Sequence, residues 1–105
     1  MIVYRQGDVV LIPVSEKLPT DTKAIPADAG RTILAYGEVT GHAHALPMKA
    51  AKRYKAGSNG KDYVKEIKPA ELRHDEQWPI NLPAGMYEMR IAREYTPAGV
   101  RQVAD

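Results

Sequence analysis

Short apolar runs and two-residue alternation dominate the chain, and glycine or proline interrupts them repeatedly. Val9-Val10-Leu11-Ile12-Pro13-Val14 is a brief apolar run bounded by turn residues, which predicts a buried strand. Thr32 to Ala45 reads as a second extended stretch, bent or broken at Gly37 or Gly41, because glycine inside a strand marks a bulge or a close backbone approach. From Gly85 to Tyr95 the alternation is cleanest. Tyr87, Met89, Ile91, Arg93 and Tyr95 share the predicted core face; Met86, Glu88, Arg90, Ala92 and Glu94 share the other.

Turn chemistry places two hairpins. Asn59-Gly60 suits a two-residue type I′ turn, whose central positions both need positive φ. With that loop, strands from Lys52 to Ile67 pair so that Ser58 faces Lys61, Ala56 faces Tyr63 and Arg53 faces Glu66. Leu82-Pro83-Ala84-Gly85 suits a type I turn and predicts the second hairpin. Thr96-Pro97-Ala98-Gly99 repeats that chemistry before a short last strand, Val100 to Val103. Ser15 to Gly30 lacks alternation and reads as a surface loop with one helical turn near Thr20-Asp21-Thr22. Eight glycines and eight prolines leave few stretches long enough for a helical stripe. The expected fold is all-β: a small antiparallel barrel or sandwich with little helix.

Length adds that this is one domain, residues 1–105. Hydrophobic residues at 44% and charged residues at 27% fit a globular chain rather than a disordered one. No apolar run approaches the ~18 residues of a membrane helix. The N-terminus lacks the features of a secretory signal, so a cytoplasmic location away from membranes is expected. Without cysteine there is no disulfide, thiolate nucleophile or Cys-ligated zinc. A net charge of +2 does not by itself imply nucleic acid. Its distribution says more: Lys49, Lys52, Arg53 and Lys55 cluster, Lys61 and Lys65 follow, and no acid lies between Pro47 and Gly60. A basic hairpin carrying Lys52, Arg53 and Lys55 beside Tyr54 could meet phosphates or a host protein.

The candidate chemistry lies in the three histidines, His42, His44 and His74. In an extended Gly37–Leu46 segment, Glu38, Thr40, His42 and His44 share a face. Imidazoles two residues apart can reach one ion, and zinc wants a third protein ligand, for which His74 is the candidate. Asp75, Glu76 and Glu38 are available carboxylates. Three readings stay open: a hydrogen-bonded polar face, a divalent transition-metal site of zinc-like type, or metal-free acid/base chemistry. If the chain is an enzyme, metal-assisted hydrolysis of a phosphoester or similar bond is the natural class, with Glu38 or Glu76 as general base. Trp78, before Pro79, reads as a partly buried anchor in preference to a stacking platform.

Gln6-Gly7-Asp8-Val9, Gly37-Glu38-Val39-Thr40-Gly41-His42-Ala43-His44, His74-Asp75-Glu76, Leu82-Pro83-Ala84-Gly85-Met86-Tyr87 and Arg93-Glu94-Tyr95 together resemble a group of small uncharacterised bacterial and phage proteins. The resemblance implies a bacterial or phage setting and no particular activity. Members of that group read His-Glu-Glu-His where this chain has His74-Asp75-Glu76-Gln77. The His42-Ala43-His44 pair also resembles the His-x-His of cupins, without the glutamate that follows it there; this is an architectural analogy only.

Overall fold

The computed structural model describes residues 2–15, 17–36, 42–57 and 60–92. Among the described residues ten strands follow one another: β1 (Tyr4–Gln6), β2 (Val9–Val14), β3 (Thr22–Ile25), β4 (Arg31–Tyr36), β5 (Ala43–Pro47), β6 (Ala51–Ala56), β7 (Asp62–Glu66), β8 (Ala70–His74), β9 (Gln77–Leu82) and β10 (Gly85–Ile91). All pairings are antiparallel. One sheet runs β1-β2-β10-β7-β6-β3 and the other β4-β5-β8-β9. The described residues contain no α-helix, as the glycine and proline spacing predicts. The sheets do not close into a barrel, but their edges approach: β1 lies against β9, and β4 against β6.

One core lies between the two sheets. Val9 and Leu11 of β2, Val64 of β7, and Tyr87 and Met89 of β10 enter it from the six-stranded sheet. Leu34, Leu46, Leu72 and Leu82 enter from the four-stranded one. Each fully buried leucine contributes about 2–3 kcal/mol by leaving water. Val9–Val14 is the strand expected from its apolar run, and Tyr87 and Met89 lie on the face that alternation selects.

Four expectations need correction. The β6–β7 hairpin forms, but its register is shifted: Arg53 lies opposite Val64, Tyr54 opposite Tyr63 and Lys55 opposite Asp62. Ala56 N–H donates to Lys61 O and Gly60 N–H to Ala56 O, so the loop spans residues 57–60 instead of two residues. Arg53 therefore meets Asp62, at 3.0 Å, and Glu66 lies opposite Ala51. The turn at Leu82-Pro83-Ala84-Gly85 does not close a hairpin: β9 pairs with β8, while β10 pairs with β2 and β7, so the turn carries the chain from one sheet to the other. The Tyr87 hydroxyl donates to Pro83 O at 2.6 Å and braces that corner. Within Ser15–Gly30 a single turn does form at Thr20-Asp21, closed by Thr22 N–H donating to Pro19 O, but the segment then continues as β3, an edge strand on β6, which the loop reading does not include. Trp78 is 89% exposed and anchors nothing in the core.

Thr32–Ala45 is two strands folded back on each other, β4 and β5. Their connection includes Gly37, Glu38, Thr40 and Gly41, which lie outside the described residues, as do Asn59, Arg93, Tyr95, the Thr96–Gly99 turn and the Val100–Val103 strand.

Candidate functional site

Two tight hairpins bring the site together. Gln6 pairs with Val9, leaving Gly7-Asp8 as the turn between β1 and β2. His74 pairs with Gln77, leaving Asp75-Glu76 as the turn between β8 and β9. Because β1 lies against β9, these turns are neighbours. On the other side of β8, Ala45 of β5 lies opposite Arg73, and the same register sets His44 beside His74. Their ring centroids are 4.3 Å apart. His42, just before β5, meets His74 edge to face at 5.9 Å. All three histidines of the chain thus gather at one place.

A buried glutamine orients the central imidazole. The Gln6 amide NH2 donates to Leu72 O at 2.8 Å and to Trp78 O at 2.9 Å. Both donors are spent on carbonyls, so the amide oxygen must face His44 Nδ1, which lies 2.8 Å away. That nitrogen carries the proton in the neutral ring, and Nε2 keeps its lone pair. His44 is buried, and burial, reinforced by His74, pulls its pKa below the ordinary histidine value; Asp8 pulls weakly the other way. Neutral His44 therefore presents a base at Nε2, with Asp8 Oδ1 3.7 Å away.

The neighbours differ from His44. His74 Nδ1 accepts the Glu76 backbone N–H at 3.0 Å, so a neutral His74 holds its proton on Nε2. His42 lies between two exposed carboxylates, with Asp75 Oδ2 3.3 Å from Nε2 and Glu76 Oε1 3.6 Å from Nδ1. His42 Nδ1 is buried and has no hydrogen-bond partner. Among the described residues, no three His, Asp or Glu side chains are spaced to hold one ion as they stand.

Gly7 has a φ of 60°, and a Cβ there would lie 3.2 Å from His44 Cε1 and 3.5 Å from Nε2. Gly7→Ala should cost about 1–2 kcal/mol from the left-handed backbone alone and should also displace the His44 ring. Urea unfolding checks the first effect and the histidine ring NMR signals the second; unchanged stability would show the turn free to relax.

The expected metal ligands His42, His44 and His74 thus come together, with Glu76 beside them. Glu38 lies outside the described residues. Lys52, Arg53, Tyr54 and Lys55 lie on β6, separated from β1 by β2, β10 and β7, and form no part of the cluster. Gln6 and Asp8 were not predicted as site residues. The available signal was a Gln-Gly-Asp turn just before the first buried strand.

Residues 5–92 match the family described as a domain of unknown function, DUF8820. The chain belongs to that family. The matched span of this DUF8820 domain holds all ten strands but the first residue of β1, and contains Gln6, Asp8, His42, His44, His74, Asp75 and Glu76. No curated protein and no solved structure matches the chain.

Proposed function

We propose that the histidine cluster of this DUF8820 protein binds one divalent transition-metal ion. The observation that carries the reading is the convergence of all three histidines with Asp8, Asp75 and Glu76 on adjoining hairpin turns. The donor chemistry fits. His44 offers Nε2, with its other nitrogen held by an amide oxygen in the way that metal-ligating histidines are usually supported. His42 Nδ1 is buried without a hydrogen bond, 3.6 Å from Glu76 Oε1, and imidazole with carboxylate suits zinc, iron, nickel or manganese. His74 must release the Glu76 N–H before it can contribute a lone pair, so the site closes only on binding.

A bound ion would supply Lewis acidity and an activated water, the chemistry of hydrolysis. Glu76 is exposed beside it and suits the role of general base. Three carboxylates around the cluster repel an anionic substrate, so a phosphoester would approach only after a cation had offset them. A metal-free reading rests on His44 alone: a neutral, oriented imidazole can take a proton directly.

Calorimetric titration of tag-free protein with zinc or nickel near neutral pH should give one site per chain. Affinity should fall as the pH drops below about 6.5, because protonated imidazole cannot ligate. His44→Ala and His42→Ala should each remove binding and the accompanying rise in melting temperature; His74→Ala should weaken both. If wild type takes up no metal, or His44→Ala binds as tightly as wild type, the metal reading fails and the proton-transfer reading replaces it.

A further inference from the structure

At the far side of the six-stranded sheet from the histidines, the open end of the β6–β7 hairpin carries a different chemistry. Lys52 and Lys65 lie directly opposite each other, so they share a face of the ribbon. Like charges in that position destabilise a sheet. Lys49 precedes Lys52 by three residues and Lys68 follows Lys65 by three, no more than about 10 Å of chain in each case. The Ile67 N–H donates to Ala50 O at 2.6 Å and holds the two flanking segments together. All four lysines are exposed, and among the described residues none of them is ion-paired. The other basic residues of the ribbon are already engaged. Arg53 and Lys55 share Asp62, and Lys61 meets Glu88. Among the described residues of the ribbon, the acid at this end is Glu66, which is buried on the core side, where burial pushes its pKa up to about 8 and weakens any offset it gives.

We infer that Lys49, Lys52, Lys65 and Lys68 form a docking surface for the phosphodiester backbone of a nucleic-acid duplex. The partner is chosen by chemistry. A duplex carries one negative charge per about 1.7 Å of axis, so a single face of it can meet all four ammonium groups. Single strands are bound by stacking bases on aromatic rings, but on this ribbon Tyr63 is buried and Tyr54 half-buried. Surface binding to a bilayer scales with the apolar area inserted, and among the described residues the large apolar side chains exposed nearby are three: Ile25, Met48 and Ile67. With no base-reading group at the patch, binding is independent of sequence. This inference does not rest on the metal reading.

The test is fluorescence anisotropy of a labelled random-sequence DNA duplex with the full-length protein. Four phosphate contacts predict roughly a hundredfold loss of affinity between about 50 and 200 mM salt. Lys52→Ala with Lys65→Ala should weaken binding and reduce that loss to roughly tenfold. Lys23→Ala, on the neighbouring edge strand, should change neither. No binding at low salt, or binding indifferent to the lysine pair, overturns the inference. So does lysine-dependent binding to phosphatidylcholine–phosphatidylserine vesicles in the absence of duplex binding, which would make the partner a membrane surface. Histidine variants that lose metal should bind duplex as wild type does, which keeps the two readings separable.

Discussion

Raising the pH from about 5 to about 9 should destabilise the fold by roughly a thousandfold in its folding constant, and Glu66→Gln should remove most of that loss. Glu66 is 3% exposed, on the core side of β7, between Ala51 of β6 and Gly85 of β10. Both of its carboxyl oxygens are buried without a hydrogen-bond partner. Burial pushes its pKa up to about 8 from 4.5. Above pH 4.5 the unfolded chain gives up this proton, whereas the folded chain keeps it until about 8. Across that window the native state binds the extra proton, so stability falls about tenfold per pH unit. The stabilisation is complete below the unfolded pKa and gone once the pH has passed the folded one.

His44 acts with the opposite sign. Its lowered pKa means that the unfolded chain takes up a proton first, so its contribution is present above about 6.5 and lost on acidification. Comparing wild type with Glu66→Gln separates the two, since both chains carry His44. Glutamine retains the size of Glu66 and cannot ionise. Chemical unfolding of both proteins across the range is the measurement. Parallel curves would mean that Glu66 ionises in the folded protein without cost, and would sink the idea.

Glu66 also shows where the sequence was readable. Strands β2 and β10 follow from their own patterns: β2 from its short apolar run, and β10 from the alternation that puts Tyr87 and Met89 in the core, although Glu88 between them is buried too. Strand β3 does not, because three of its four residues are exposed and an edge strand held by backbone bonds needs no apolar stripe. Proline and glycine at 83 and 85 mark a chain reversal, but turn chemistry does not choose the partner sheet, and β9 and β10 part company there. Asn59-Gly60 marks the β6–β7 loop without fixing its length. The two-residue difference in that length moves Glu66 from opposite Arg53 to opposite Ala51; it leaves Glu66 on the face it shares with Val64, so what was lost is its cationic partner, not its side of the sheet.

The site divides in the same way. His42 and His44 stand out because they are close in sequence, and His74 because no other histidine remains. The orienting group is hidden, because its partners lie 38, 66 and 72 residues away and only the folded chain relates them.

Gln6→Leu should therefore be among the most damaging single substitutions at the site. Leucine approximates the volume and leaves three polar groups without a partner: the carbonyls of Leu72 and Trp78, and the His44 Nδ1–H. At about 1–3 kcal/mol for each orphaned buried group, partly relieved by water where the Trp78 carbonyl is only half-buried, the expected loss is on the order of 3 kcal/mol. Gln6→Glu separates orientation from packing. A carboxylate can still accept from His44, and it favours the imidazolium, so the His44 pKa should rise. It has no N–H for the two carbonyls, so stability should fall here as well. In wild type, nitrogen NMR of the imidazole should show the proton on Nδ1 at neutral pH, and Gln6→Leu should mix the two tautomers. Metal affinity should fall with that mixing, because Nε2 would no longer be reserved as the free lone pair. If Gln6→Leu keeps both the stability and the Nδ1–H tautomer of wild type, then Gln6 does not orient His44, and the metal and proton-transfer readings both lose the residue that prepares their base.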